Sequence, residues 1–131
     1  MCLMRLFILN FLIVFNSFSQ IEEPVIWNSN INKISDENYL ITIEAYIDKN
    51  WRLYSQNLPK GGAEPTEFVF KDKSGYKLIG FFNESESIKK YDNLFKLDLN
   101  YFEKDAVFSQ ELKLIDKNLE KIDIANPSRR V

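Results

Sequence analysis

The stretch YLITIEAYI, residues 39–47, decides the fold that this sequence predicts. Its residues alternate between two sets, as side chains on a β-strand alternate between two faces. One set comprises Tyr39, Ile41, Ile43, Ala45 and Ile47, and the other comprises Leu40, Thr42, Glu44 and Tyr46. This is the clearest strand pattern in the chain, and its first set can cover one side of a core.

Three further runs with the same alternation follow: EFVFK at 67–71, KLDLNYF at 96–102 and VFSQELKL at 107–114. Each is expected to cover one side of the same core, with Phe68, Phe70, Leu97, Leu99, Tyr101, Phe108, Leu112 and Leu114. Turn clusters separate the runs, no segment has a helical period, and no helical crossover fits between them. The chain is therefore predicted to be all-β, an immunoglobulin-like antiparallel β-sandwich.

Two regions depart from the pattern. Residues 82–90 are polar and charged, so a solvated loop is expected there, with Glu84 and Glu86 in solvent rather than in a catalytic pair. The ending EKIDIANPSRRV starts as a strand with Ile122 and Ile124 and stops at Pro127, which cannot donate to a ladder. The sandwich is thus either complete or lacks its last strand or strands, which would leave a sheet edge open.

The first residues, MCLMRLFILNFLIVFNSFSQ, follow the pattern of a secretory signal peptide. Arg5 precedes an apolar run over residues 6–15, and small residues follow. The alternative, a transmembrane anchor, needs a longer apolar run. We predict a signal peptide at 1–19, a single domain at 20–131, a periplasmic location and no membrane span after cleavage.

Composition excludes several classes of function. Removing residues 1–19 takes away Arg5 and no acid, so the formal net charge of −2 becomes −3 and nucleic acid is not expected as a partner. The chain has no histidine, and its one cysteine, Cys2, lies in the predicted signal peptide. We therefore expect no catalytic residues, no metal site and no cofactor.

The segment WRLYSQNLPKGGAEPTEFVF, residues 51–70, runs from one predicted strand through a loop into another. Pro59 fixes its own φ, and the Gly61–Gly62 pair takes positive φ freely, so this loop is expected to reverse the chain. One interpretation is an ordinary well-made turn, since Pro and Gly are common in turns.

The order of residues in DKNWRLYSQNLPKGGAEPTEFVF, residues 48–70, also closely resembles a known family. The family is the N-terminal domain of the thiol:disulfide interchange protein DsbD in Bacteroidetes-type bacteria, where Gly-Trp-x-Leu-Tyr-Ser-Gln precedes Pro-x-Gly-Gly and Pro-Thr-x-Phe. Asn50 stands where that glycine is common. The resemblance covers about residues 24–114, and also includes Tyr91, Asp92, Phe95, Tyr101, Phe102 and Glu103.

The resemblance implies an immunoglobulin-like periplasmic domain that receives electrons from a membrane-embedded partner domain and passes them to oxidised thiol proteins. The expected partner is thus a thioredoxin-fold or membrane-embedded thiol-exchange protein. The family's cap loop would match residues 91–95, with Phe95 as the expected shield, although a Tyr and a Phe packing under a loop is an equal interpretation. The residues expected to bind the partner or form the cap are Tyr54, Ser55, Gln56, Asn57, Leu58, Pro59, Tyr91, Asp92, Leu94 and Phe95.

The sequence departs from the family where the chemistry lies. The family continues into Cys-x-x-x-x-Cys, whereas this chain reads NPSRRV. Disulfide exchange needs a thiolate, so the chain as printed is expected to bind but not to carry electrons. Two other hypotheses remain: a non-redox immunoglobulin-like module that binds a protein or glycan through the same residues, or a degraded remnant that does not fold.

Overall fold

The computed structural model describes residues 24–125, and these residues form nine β-strands and no helix. The strands are β1 (Val25–Lys33), β2 (Asn38–Ile47), β3 (Leu53–Tyr54), β4 (Val69–Phe70), β5 (Tyr76–Glu84), β6 (Ile88–Asp92), β7 (Leu97–Phe102), β8 (Asp105–Leu114) and β9 (Ile124–Ala125). Every strand pairing is antiparallel. The predicted all-β class is confirmed. The predicted signal peptide lies outside the described residues.

The largest sheet has the strand order β1-β2-β8-β5. Its second strand confirms the alternation that the sequence predicts. Ile41, Ile43, Ala45 and Ile47 are buried and belong to the core, whereas Tyr46 on the opposite face is exposed. This face of the sheet therefore supplies one wall of the core.

Two smaller sheets, β3-β7-β6 and β4-β9, supply the opposite wall. Aromatic rings join the walls around Phe108 of β8, which is fully buried. Its ring centroid lies 5.0 Å from that of Phe68 and 5.7 Å from that of Phe102, both in edge-to-face geometry. Burial of one phenylalanine contributes about 1.5–3 kcal/mol, so this cluster holds the layers together as a sandwich.

The prediction for β7 is wrong in its choice of face. The residue that joins the main core is Phe102, whereas Leu99 and Tyr101 are buried outside that cluster. The reason is that the loop after β3 covers the outer face of this sheet. A Cβ built on Gly62 of that loop would lie 3.2 Å from Leu99 and 3.4 Å from Leu97. Because both faces of β7 are covered, alternation alone cannot identify the core side.

The expected solvated loop at residues 82–90 is also wrong for most of its length. Strand β5 continues to Glu84 and β6 begins at Ile88, so only residues 85–87 are outside a strand. Glu84 pairs with Phe108, and Ile88 pairs with Tyr101. These are edge strands with wet faces, which explains why polar residues are tolerated in them.

A β-bulge interrupts β5 opposite a buried glutamine. The register shifts between Ile79 and Asn83, so that Gln110 of β8 faces several residues. Gln110 is 2% exposed, and its Nε2 donates to the carbonyl oxygens of Ile79 at 2.8 Å and Glu111 at 2.9 Å. The side chain thereby satisfies a carbonyl that the bulge releases, and the bulge turns Phe81 into solvent with 92% of its surface exposed.

The C-terminal strand pattern is confirmed in part. Only Ile124–Ala125 forms a strand, which pairs with β4, and Lys71 N donates to Asp123 O at 3.0 Å. Ile122 and Ile124 are half-buried against the core, so the open apolar edge expected at these two residues is not found. Pro127 and the residues after it lie outside the described range.

Candidate binding site

The loop after β3 is anchored through Ser55, which is fully buried. Its backbone N–H donates to Asn100 O of β7 at 3.0 Å, continuing the β3-β7 ladder by one residue. Its hydroxyl donates to the carboxylate of Glu84 and accepts the N–H of Asn57 at 3.0 Å. Ser55 is therefore held by both sheets at once.

The carboxylate of Glu84 is the other half of this anchor. Its Oε2 accepts the backbone N–H of Gln56 at 3.1 Å and the Gln56 side-chain amide at 3.4 Å, while Oε1 accepts from Ser55. Sequence reasoning missed this role, because the acceptor and the loop are 28 residues apart and no local pattern connects them. We call the contacts among Ser55, Gln56, Asn57 and Glu84 the anchor.

A cavity of about 190 Å³, which we call the tyrosine pocket, is lined by residues of β3, β6 and β7. Strand pairing explains its composition, because β7 lies between β3 and β6 and its Tyr101 pairs with Tyr54 on one side and Ile88 on the other. The structure thus brings the two predicted segments together at Tyr54, Tyr91 and Asp92. The pocket is lined by Arg52, Tyr54, Lys90, Tyr91, Asp92 and Asn93, with the buried Leu99 and Tyr101 beneath them.

The tyrosine pocket contains two cations. The guanidinium carbon of Arg52 lies 4.3 Å from the centroid of the Tyr101 ring, a cation–π contact that positions it. Neither Arg52 nor Lys90 forms an ion pair within residues 24–125. The pocket therefore offers two cations, the Asp92 carboxylate and tyrosine hydroxyls to a polar group.

The other predicted segment forms the hairpin between β6 and β7, and we call residues 92–96 the hairpin tip. Asp92 Oδ1 accepts the N–H of Leu94 at 2.8 Å and the N–H of Phe95 at 3.1 Å, and Lys96 closes the turn with a φ of 55°. Leu94 is 82% exposed, whereas Phe95 is half-buried beside Gly62. At this tip the candidate Leu94 faces outward, and the candidate Phe95 lies against the loop after β3.

The remaining predicted loop residues do not line the tyrosine pocket. Gln56 and Asn57 line a separate groove of about 530 Å³ between β4 and β5, whose apolar lining includes Phe68, Phe70 and Phe81. Leu58 is half-buried and Pro59 is exposed, and neither lines a cavity described above. The candidate site therefore consists of the tyrosine pocket and the hairpin tip, with the anchor as its support.

The described residues lack several common catalytic groups. Residues 24–125 contain no cysteine or histidine, and no group of three or more acidic side chains there could hold a metal ion. Within the same range no helix is long and apolar enough to cross a membrane. No protein-family model, curated protein or solved structure matches the chain.

Proposed function

We propose that this protein is an exported binding module of the kind its sequence resembles, the N-terminal domain of DsbD. On this proposal it docks a thioredoxin-fold or membrane-embedded thiol-exchange protein in the periplasm and does not itself exchange disulfides. The contact surface is the tyrosine pocket together with the hairpin tip.

One observation carries the proposal. Tyr54 and Tyr91 belong to the two separate segments predicted to bind the partner or form the cap, and both line one cavity. Tyr91 is 54% exposed and Leu94 beside it is 82% exposed. Exposed aromatic and apolar side chains beside a cavity whose two cations form no ion pair among the described residues are suited to bind a protein surface.

A backbone feature adds support. Asn50 occupies the position where the resembled family commonly has glycine, and its φ is 72°. Glycine adopts this left-handed conformation readily, and asparagine is among the few other residues that tolerate it. A glycine preference at this position therefore has a physical reason in this fold.

The test measures binding of the protein to a purified periplasmic thioredoxin-fold oxidoreductase by isothermal titration calorimetry. We expect Tyr91→Ala to weaken binding at least about tenfold and Leu94→Ala to weaken it by a smaller factor, because tyrosine is among the residues that most often dominate interface affinity, whereas leucine is not. Ile115→Ala is the matched control, since Ile115 is 63% exposed and lines neither cavity. Equal affinity of all three variants, or no binding by the folded wild type, would refute the docking proposal.

Export has its own test, the intact mass of the protein recovered from the periplasm. Loss of residues 1–19 is the expected result, and a chain that keeps them in the cytoplasm contradicts export. Reduction and alkylation of the same sample should add no mass to a chain that ends at Val131, since its only cysteine, Cys2, would have been removed.

A second candidate, recognition of an acidic glycan, is favoured by Arg52 and Lys90, which face the tyrosine pocket without an acidic partner among the described residues. A titration with uronic-acid oligosaccharides tests it. Binding that is lost in both Arg52→Gln and Lys90→Gln but retained in Leu94→Ala would favour the glycan. Binding of the thioredoxin-fold probe alone would favour the protein partner.

A further inference from the structure

The described strands of five or more residues leave three sheet edges: β1 and β5 in the large sheet and β6 in the small one. Two of them carry features that discourage another strand from pairing. Strand β6 has Lys89 and Lys90 in succession, and β5 is interrupted by its bulge, with Gly80 at a φ of 70°. Lysines and bulges are common means of protecting an edge.

Strand β1 carries no such feature. It pairs with β2 over nine consecutive residues without a register shift, and its sequence VIWNSNINK contains no proline or glycine. Lys33, its last residue, is the only charged one. Residues 28–33 are all exposed. The edge is thus long, regular and almost uncharged, the type that accepts another strand.

The backbone groups that point outward from β1 can be identified. Pro24 O accepts from Asp48 N at 2.8 Å and Ile34 N donates to Asn38 O at 2.8 Å, so the even-numbered residues of this segment face β2. Hydrogen-bonding direction alternates along an antiparallel strand. Trp27, Ser29 and Ile31 therefore direct their N–H and C=O groups away from the sheet.

We propose that β1 pairs with β1 of a second copy of this chain, antiparallel and centred on Ser29. A two-fold axis there pairs each outward-facing residue with another outward-facing one, as an isologous interface requires. Ser29 then faces Ser29, and Trp27 faces Ile31 of the second copy. The two four-stranded sheets become one continuous sheet of eight strands.

Side chains on both faces suit this register. On the core side, Ile31 is 49% exposed in the single chain and comes to lie beside Trp27 of the second copy. On the outer side, Asn28 and Asn30 lie opposite each other as neutral amides that can hydrogen bond. Lys33 faces Val25, so no two like charges meet.

Sedimentation velocity of the protein as isolated tests the proposal. We expect the wild type to have twice the mass of a single chain. Ser29→Pro should halve that mass and retain a thermal transition, because the N–H that proline removes is not bonded to β2 and proline is tolerated on edge strands. Ser29→Ala keeps the N–H and is the matched control, with the dimer retained.

A second variant makes the result decisive if Ser29→Pro does not fold. Ile31→Lys leaves the backbone intact and places a charge beside Trp27 of the second copy, so it should also halve the mass. A wild type that is monomeric at all concentrations would overturn the proposal. So would a dimer that survives both substitutions in folded protein, because another surface would then hold it.

Discussion

The loop after β3 follows Tyr54 of the tyrosine pocket, and the hairpin tip contributes Asp92 and Asn93 to that pocket, but the two segments are held in different ways. In the loop, Ser55 and Gln56 bond to Glu84 of β5, and Ser55 also bonds to Asn100 of β7, at separations of 28 to 45 residues. In the hairpin tip, the bonds to Asp92 come from residues two and three positions further along. The loop depends on the whole sandwich, and the tip on its own turn.

This difference assigns different roles to the loop and to the hairpin tip. A loop that is tied to both sheets can change only when packing elsewhere changes, since its buried polar groups need their partners. A tip held by local bonds can rearrange without loss of the core, because little else depends on it. We therefore expect the anchor to control stability and the tip to control recognition.

The strongest test of this comparison is Glu84→Ala. The substitution removes three hydrogen bonds to a carboxylate and leaves the buried Ser55 hydroxyl without its acceptor. We expect the free energy of unfolding, measured with urea, to fall by about 3 kcal/mol. Hydrogen exchange at the Gln56 and Asn57 amides should accelerate, while exchange at Leu94 remains unchanged.

Glu86→Ala is the matched control, because Glu86 is an exposed carboxylate two residues away and should change stability by no more than about 0.5 kcal/mol. Equal effects of the two substitutions would show that the anchor contributes nothing. The wild-type transition has its own meaning: a cooperative unfolding curve argues against the hypothesis of a remnant that does not fold.

Ser55→Ala should have the second largest effect. It removes the hydroxyl that bonds to Glu84 and accepts from Asn57, while Gln56 keeps its bonds to the carboxylate. We expect a loss of about 2 kcal/mol in urea unfolding. In the Glu84→Ala background the further loss should be much smaller, because the two side chains share one interaction. Additive losses would contradict the anchor as a unit.

Asp92→Ala should cost less, about 1 kcal/mol, because the bonds it removes lie at an exposed turn. Asp92→Asn retains a side-chain oxygen acceptor and should cost about half as much. Hydrogen exchange of Leu94 and Phe95 reports the change directly. Faster exchange at Gln56 in the same variant would break the comparison, since it would mean that the tip supports the loop.

Sequence periodicity predicted the strands that have one solvent-exposed face and one buried face. Ile41, Ile43 and Ala45 alternate with residues on the outer face, so β2 was predictable. The sequence assigned Leu99 instead of Phe102 to the core face of β7, because the loop buries the outer side of this strand as well. The hydrogen bonds that Asp92 accepts from Leu94 and Phe95 are local in sequence. The sequence alone nevertheless does not show that the Leu94 side chain faces outward.

The anchor could not be predicted from the sequence for a related reason. Glu84 lies in a run of polar residues that is indistinguishable from a solvated loop until the pairing of β5 with β8 places it beside Ser55. The meeting of Tyr54 with Tyr91 also depends on β7 lying between their strands. The resemblance named both segments as candidates, and its functional meaning stays a prediction.

The substitution with the smallest expected effect on stability distinguishes the burial of a hydroxyl from its hydrogen bonding. The hydroxyl of Tyr76 is buried in the core but has no hydrogen-bond partner among the described residues, in contrast to that of Ser55. Tyr76→Phe should therefore leave stability unchanged or raise it by up to about 1 kcal/mol at neutral pH, because it removes an unsatisfied polar group. A loss like that of Ser55→Ala would show that burial alone explains the cost.

The pH dependence of Tyr76→Phe gives an independent check. Burial, and then the charges of Asp72 and Asp123, raise the pKa of the Tyr76 hydroxyl above its ordinary value of about 10. Above that pH the unfolded chain releases a proton that the folded chain keeps, so the wild type loses stability as the pH rises. The phenylalanine variant lacks this contribution, and its advantage in urea unfolding should grow between pH 9 and pH 11, about one unit either side of the ordinary pKa. If the difference in free energy of unfolding between the two proteins stays constant across that range, Tyr76 ionises as readily in the folded protein as in the unfolded one. Its hydroxyl would then be solvated in the folded protein as well as it is in water.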